Sequence, residues 1–166
     1  LKDYHLLVGH YHLEDSYLPQ RYPNCLENKH YQIFTFLRDP LELQISLYYY
    51  EIRNKRITSD ACLEQRLLLR KNYIAARIPC DESNYREKLD YYFFIGLVEE
   101  YQESFDKLAE LLEKPKLKLK TYNDSLQPKQ KLSPEFISEF KELNQLDYQI
   151  YTYAQKKYEA STSVSL

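Results

Sequence analysis

Arg38, the pair Asp39-Pro40 and Ser46, placed directly after the apolar run 33–37, are spaced to hold a phosphate. The guanidinium of Arg38 is a rigid fork that matches phosphate oxygens in pairs. Asp39 is a good helix cap and Pro40 suits the first helical position, where no backbone N–H is needed. A helix starting there would turn unpaired N–H groups and its positive dipole end toward an anion. Ser46 lies seven residues past Asp39, so it returns to nearly the same side of that helix. The plainer reading of the same residues is an Arg38 paired with Asp39 or a surface Glu, and a Ser46 that only packs.

A second chemistry is proton transfer. Gly9-His10 falls at the end of an apolar segment, 4–9, that reads as a strand. An imidazole there can take the proton of an attacking hydroxyl, because its ordinary pKa is close to neutral. His10 is the first candidate base and His12 the alternative. Glu14 and Asp15 can orient either ring, or act as base themselves. With His5 these residues also read as a metal cluster, but their spacing fits no known signature and the cysteines at 25, 62 and 80 are remote. No metal is expected. Lys129 and Lys131, in a basic loop over 122–132, can close over phosphates or an anionic acceptor, or simply face solvent. The three cysteines form no nucleophile set with a neighbouring His.

Elements must position these groups. The β-branched and aromatic run within 31–38 predicts a strand buried on both faces. Leu41, Ile45, Tyr48 and Ile52 recur at helical spacing and predict a helix over 40–53. Residues 10–29 read as loop, 59–78 as helix in two pieces ended by Pro79, 84–91 as a short helix and 92–95 as a third strand leaving through Gly96. An amphipathic helix follows over 99–113. Alternating Lys and Leu over 116–121 predict an edge strand. Ser133-Pro134-Glu135 opens a helix, another spans 143–158, and 161–166 reads as a frayed tail. Strands alternating with helices give an α/β layer fold with a mostly parallel sheet, as one domain over residues 1–160. Ligands of such sheets sit beyond the carboxyl ends of the strands, the edge to which His10, Arg38 and residues 96–99 belong.

Composition narrows the partners. The 166 residues are 43% hydrophobic, enough for a folded core, and carry 18 Tyr. The net charge of −2 gives no overall pull toward nucleic acid or membrane surfaces, so an anion site has to be local. Nucleic acid is not expected as a partner, and no apolar run approaches a membrane span.

Leu37-Arg38-Asp39-Pro40 with Ser46 and Tyr48-Tyr49-Tyr50 resembles the 3′-phosphate-binding segment of sulfotransferases that use 3′-phosphoadenosine 5′-phosphosulfate. The segment 93–99, running on to Tyr101 and Ser104, is similar to that family's Phe-x-Gly-Leu-x-Glu stretch. The region from Asn123 through Ser133-Pro134-Glu135 to Asn144, Asp147 and Tyr151 is similar to the close of its carbohydrate-type branch. The resemblance implies a P-loop-like sulfotransferase fold and transfer of a sulfuryl group to an acceptor hydroxyl, on a glycan or small metabolite. It implies Arg38 and Ser46 on the donor's 3′-phosphate, His10 as base, and Lys129 and Lys131 near the donor. The family's opening strand, phosphosulfate-binding loop and helix have no counterpart in the sequence, whose glycines are Gly9 and Gly96. The chain therefore reads as the C-terminal larger part of such a domain, unable to transfer sulfate by itself and prone to associate. A non-catalytic nucleotide-binding module of the same fold is the alternative. The compartment would be the cytoplasm for a bacterial chain and the Golgi lumen for a eukaryotic one.

Overall fold

The computed structural model describes residues 28, 30–58, 60–78, 80–120 and 131–163, and the backbone of two short strands before them. Those are β1 (His12–Leu13) and β2 (Ser16–Tyr17), an antiparallel pair with His12 opposite Tyr17. They fall where the sequence predicts only loop. The expected strand over 4–9 lies outside the described residues. Then follow β3 (Phe34–Leu37), α1 (Pro40–Arg53), α2 (Leu63–Leu68), α3 (Tyr85–Asp90), β4 (Phe94–Leu97), α4 (Tyr101–Leu111), α5 (Pro134–Leu143) and α6 (Gln145–Ser163). The protein is thus mixed α/β, with six helices and one small parallel sheet among the described residues.

The sheet is the pair β3–β4, in register from Phe34 opposite Phe94 to Leu37 opposite Leu97. Hydrogen bonds from Phe93 N–H to Ile33 O (2.8 Å) and from Val98 N–H to Leu37 O (2.9 Å) extend it at both ends. A parallel pair needs a crossover, and α1, α2 and α3 supply it. All of β4 is buried, between α4 and α6. β3 is only half-buried until Leu37, against the expectation of burial on both faces, because among the described residues it has a strand neighbour on one side alone.

Gly96 is where the ladder and α4 come closest. A Cβ there would stand 2.6 Å from Phe36 Cε1 and 3.0 Å from Ser104 Cβ. Its absence lets the Phe36 ring cross the sheet and stack on Phe105 of α4, with centroids 4.7 Å apart. Ser104, fully buried, ties α4 to the strand: its hydroxyl accepts from Leu97 N–H (2.9 Å) and donates to Leu97 O (3.0 Å).

Two apolar clusters make the core. One joins β3, β4, α3 and α4 to α6 through Leu89, Ile150 and Ala154. The other packs Tyr48 of α1 and Leu63 and Leu67 of α2 on Phe136 and Phe140 of α5. The second piece expected over 59–78 is a string of turns at 71–78, not a regular helix. Polar side chains from the α5–α6 junction and the first turn of α6 hold it. Asn144 Oδ1 accepts from Asn72 N–H (2.8 Å), and the Asp147 carboxylate accepts from Ile74 N–H and Ala75 N–H (2.9 Å each). Asn144 and Asp147 are each 1% exposed, so both are anchors of the fold. Burial pushes the Asp147 carboxyl above its ordinary range, while those backbone donors oppose the shift.

The edge strand predicted over 116–121 does not form in its described part, 116–120. One side-chain amide takes the place of a partner strand: Gln102 of α4 donates to Leu117 O (3.0 Å) and accepts from Leu119 N–H (2.9 Å). At the other end of the chain, α6 continues through 161–163, which the sequence reads as tail.

Candidate functional site at the carboxyl edge of the parallel strands

Arg38 is the first residue beyond β3, and Asp39 turns the chain into α1. The Asp39 carboxylate accepts from Leu41 N–H (2.9 Å) and Glu42 N–H (3.1 Å), and its carbonyl from Leu43 N–H (2.8 Å). Pro40 has no N–H to offer. The helix start is therefore closed by its own cap, and the free backbone donors expected there for a phosphate are already used. What the edge presents to an anion is side chains. The Arg38 guanidinium is about a third exposed, and its Nη2 lies 3.5 Å from Glu42 Oε2. Such an i,i+4 pair at half-exposed positions is worth roughly 0.3–0.5 kcal/mol. Ser46 is exposed one turn beyond Glu42, so Arg38, Glu42 and Ser46 follow one row along the open face of α1.

Glu99, at the exit of β4, completes the edge. Its Oε1 accepts from Asp39 N–H at 2.9 Å and links the ends of the two strands. The Tyr151 hydroxyl of α6 faces the same carboxylate. Burial first, and then Glu99 beside it, push that phenol well above its ordinary range. Tyr148, one turn earlier, has its hydroxyl next to Leu41 N–H, but Asp39 already occupies that donor. The Tyr148 oxygen is consequently buried without a hydrogen-bond partner among the described residues. The edge thus holds one guanidinium, paired with Glu42, and two further carboxylates, Asp39 and Glu99, bonded to backbone N–H groups.

Of the other candidates, His10 and Lys129 lie outside the described residues. His12 belongs to β1, and only its backbone placement is described. Lys131 is exposed just ahead of α5. The described residues hold no cluster of His, Cys, Asp and Glu able to bind a metal, and no helix long and apolar enough to cross a membrane. Cys62 and Cys80 are free thiols, and burial pushes that of Cys80 up to about 11, which leaves it protonated and unreactive at neutral pH. The sequence places Glu99 on the ligand edge and Tyr151 in the closing segment of the resemblance but gives neither a role, and nothing local marks Tyr148, which arrives from a remote helix.

No protein-family model, no curated protein and no solved structure matches the chain.

Proposed function

We propose that the chain is part of a sulfotransferase domain and that Arg38 and Ser46 contact the 3′-phosphate of 3′-phosphoadenosine 5′-phosphosulfate. The observation that carries this reading is the row Arg38–Glu42–Ser46 on the open face of α1, starting at the carboxyl end of a parallel strand. Ligands of α/β sheets favour that edge. A partly exposed guanidinium with one loose partner and an exposed hydroxyl fit a phosphate monoester; the capped helix start contributes only its dipole. The acceptor, a glycan or other hydroxylated molecule, would attack sulfur through its hydroxyl oxygen. The S–O bond to the donor's phosphate breaks, adenosine 3′,5′-bisphosphate leaves, and the acceptor proton passes to a base, which we assign to His10 with His12 as alternative. No metal enters this scheme.

A second reading, a nucleotide-binding module without turnover, draws on the carboxylates of Glu42, Asp39 and Glu99 at the same edge, since they weaken any anion held there. Both readings share one test. Calorimetry with adenosine 3′,5′-bisphosphate should show binding that Arg38→Ala weakens about tenfold or more, since a charge-assisted hydrogen bond is worth ~1.5–3 kcal/mol. Ser46→Ala should cost less. An Arg38→Ala protein with unchanged affinity removes both readings, and transfer of labelled sulfate to a glycan panel separates them.

A further inference from the structure

Glu113, at a left-handed φ of 54°, follows the end of α4, and Lys114 N–H bonds back to Ala109 O at 2.8 Å. The chain then passes beside α4 as Lys116-Leu117-Lys118-Leu119-Lys120, which forms no strand. Gln102 holds it in strand fashion all the same. Its Nε2 donates to Asp106 Oδ1 (2.9 Å) and to Leu117 O (3.0 Å), which leaves Oε1 to accept from Leu119 N–H (2.9 Å). Taking the carbonyl of one residue and the N–H of the residue two further on is what a neighbouring strand does. Successive residues of such a segment turn their backbone groups to opposite edges. With Leu117 and Leu119 turned to Gln102, the N–H and C=O of Lys118 face away, and neither has a hydrogen bond among the described residues. Lys116, Lys118 and Lys120 are exposed, and Leu117 is 70% exposed. Lys116 Nζ reaches Glu110 Oε2 at 3.8 Å, whereas Lys118 and Lys120 have no ion pair among the described residues. The acids on the helix behind are engaged: Asp106 by Gln102, Glu110 by Lys107 and Lys116.

We propose that residues 116–120 are a docking edge for an acidic partner strand, an extended protein segment with a carboxylate at every second position. The outward N–H and C=O of Lys118 start the ladder, and the partner's acids stand opposite the lysines. Side chains of a strand alternate between faces, so alternating Lys and Leu ask for alternating acidic and apolar residues. Leu117, which nothing covers among the described residues, receives the partner's apolar side chains. A second copy of the same segment does not fit. Lysine would meet lysine across the ladder, which is how lysine-bearing edges reject their own kind. The bonds of Gln102 and Lys114 hold the segment in place before a partner arrives, so little ordering is left to binding. The inference draws on no residue of the α1 edge and is independent of the nucleotide reading.

The test is fluorescence anisotropy on the full chain with labelled, end-capped peptides. One alternates Glu and Val, one is the same peptide with every amide nitrogen methylated, and one alternates Lys and Val. The first should bind, more weakly as salt rises, and the others should bind about tenfold or more weakly still. Two variants separate charge from ladder. Lys118→Ala removes a charge, and Lys118→Pro removes the same charge together with the outward N–H, while both Gln102 bonds remain. Lys118→Pro should therefore weaken the Glu–Val peptide about threefold or more beyond Lys118→Ala. The position is exposed, so both variants should keep the far-ultraviolet circular dichroism of the parent. The proposal is overturned if the Glu–Val peptide does not bind, or if methylation leaves its affinity intact. It is equally overturned if the two variants bind alike, since charge alone then acts. Tighter binding to phosphatidylserine vesicles or to octathymidylate than to the Glu–Val peptide would also overturn it, because the lysines would then form a general anion surface.

Discussion

Glu42 decides how well the α1 edge can hold an anion. It is the partner of Arg38, it stands between Arg38 and Ser46, and a bound phosphate would have to displace it. A half-exposed carboxylate in that position costs an incoming anion roughly 0.4–1 kcal/mol, so Glu42→Gln should tighten adenosine 3′,5′-bisphosphate about two- to fivefold. A titration in which that variant binds more weakly would mean that Glu42 positions Arg38 for the nucleotide. Arg38, Asp39, Pro40 and Ser46 could be read from spacing because they are neighbours on one strand end and one helix. The closure of the helix start could not be read, since Asp39 can cap inward or leave its N–H groups to a ligand, and only geometry separates the two. Gly96 carries the other argument at this scale. With Phe36 Cε1 at 2.6 Å from a methyl placed there, Gly96→Ala overpacks the contact between β4 and α4. It should cost about 1–3 kcal/mol in urea unfolding. A loss below half a kcal/mol would mean that Phe36 moves aside freely.

Among the elements, α1 depends on a buried carboxylate as much as on its apolar stripe. Glu51 receives Arg66 Nη2 of α2 (2.9 Å) and Arg70 Nη2 just beyond it, and Gln44 reaches Arg70 O at 2.7 Å. Burial alone would raise the Glu51 carboxyl, but the hydrogen bonds and charges of Arg70 and Arg66 outweigh it and hold the group below its ordinary 4.5. A folded-state value below the unfolded one gives stability that is present above pH 4.5 and disappears as pH falls through the folded value. Glu51→Gln should therefore lower stability at neutral pH and flatten its decline in acid. Urea unfolding from pH 3 to 7 checks this, and parallel curves for parent and variant would assign the acid sensitivity elsewhere. α1 itself is legible to the residue, because its cap, its Pro and its period of 3.6 agree. Glu51 is not, because its partners lie across a loop. The strand over 116–121 misleads for a related reason: alternation shows that one face is covered, and the Gln102 side chain can satisfy such a backbone as well as a strand can.

At the scale of the whole molecule, the two apolar clusters must act together, and buried polar side chains join them beside the apolar contact between α1 and α6. From β3 to α6 the order of elements was readable from periodicity, apart from the strand expected over 116–121, and so was parallel pairing, which the structure shows as the one pair β3–β4 among the described residues. The polar link between the clusters was not readable, because it is made by Asn144 and Asp147 acting on residues some seventy positions earlier. Asn144 holds the end of α5 by donating to Phe140 O (2.8 Å), and it receives Asn72 N–H from the turns at 71–78. Asn72 takes a left-handed φ of 47°, a conformation that needs such support. Those turns place Ile74, Ala75 and Ile78 in the first cluster, whereas Phe140 is the centre of the second. Asn144→Ala removes one acceptor and one donor from a site that is 1% exposed, leaving a buried N–H and a buried carbonyl unpaired. Each orphaned group costs about 1–3 kcal/mol, with little gained from the smaller side chain. The loss should also fall on the coupling. The parent should unfold in urea as one transition, with tyrosine fluorescence and far-ultraviolet circular dichroism superimposed. In Asn144→Ala the two curves should separate, because the tyrosines are spread over both clusters while most helix outside α6 belongs to the second. The chain has no Trp, so tyrosine fluorescence is an unobscured reporter. Superimposed curves in the variant, shifted only in midpoint, would show that the apolar contact between α1 and α6 couples the clusters without help from Asn144.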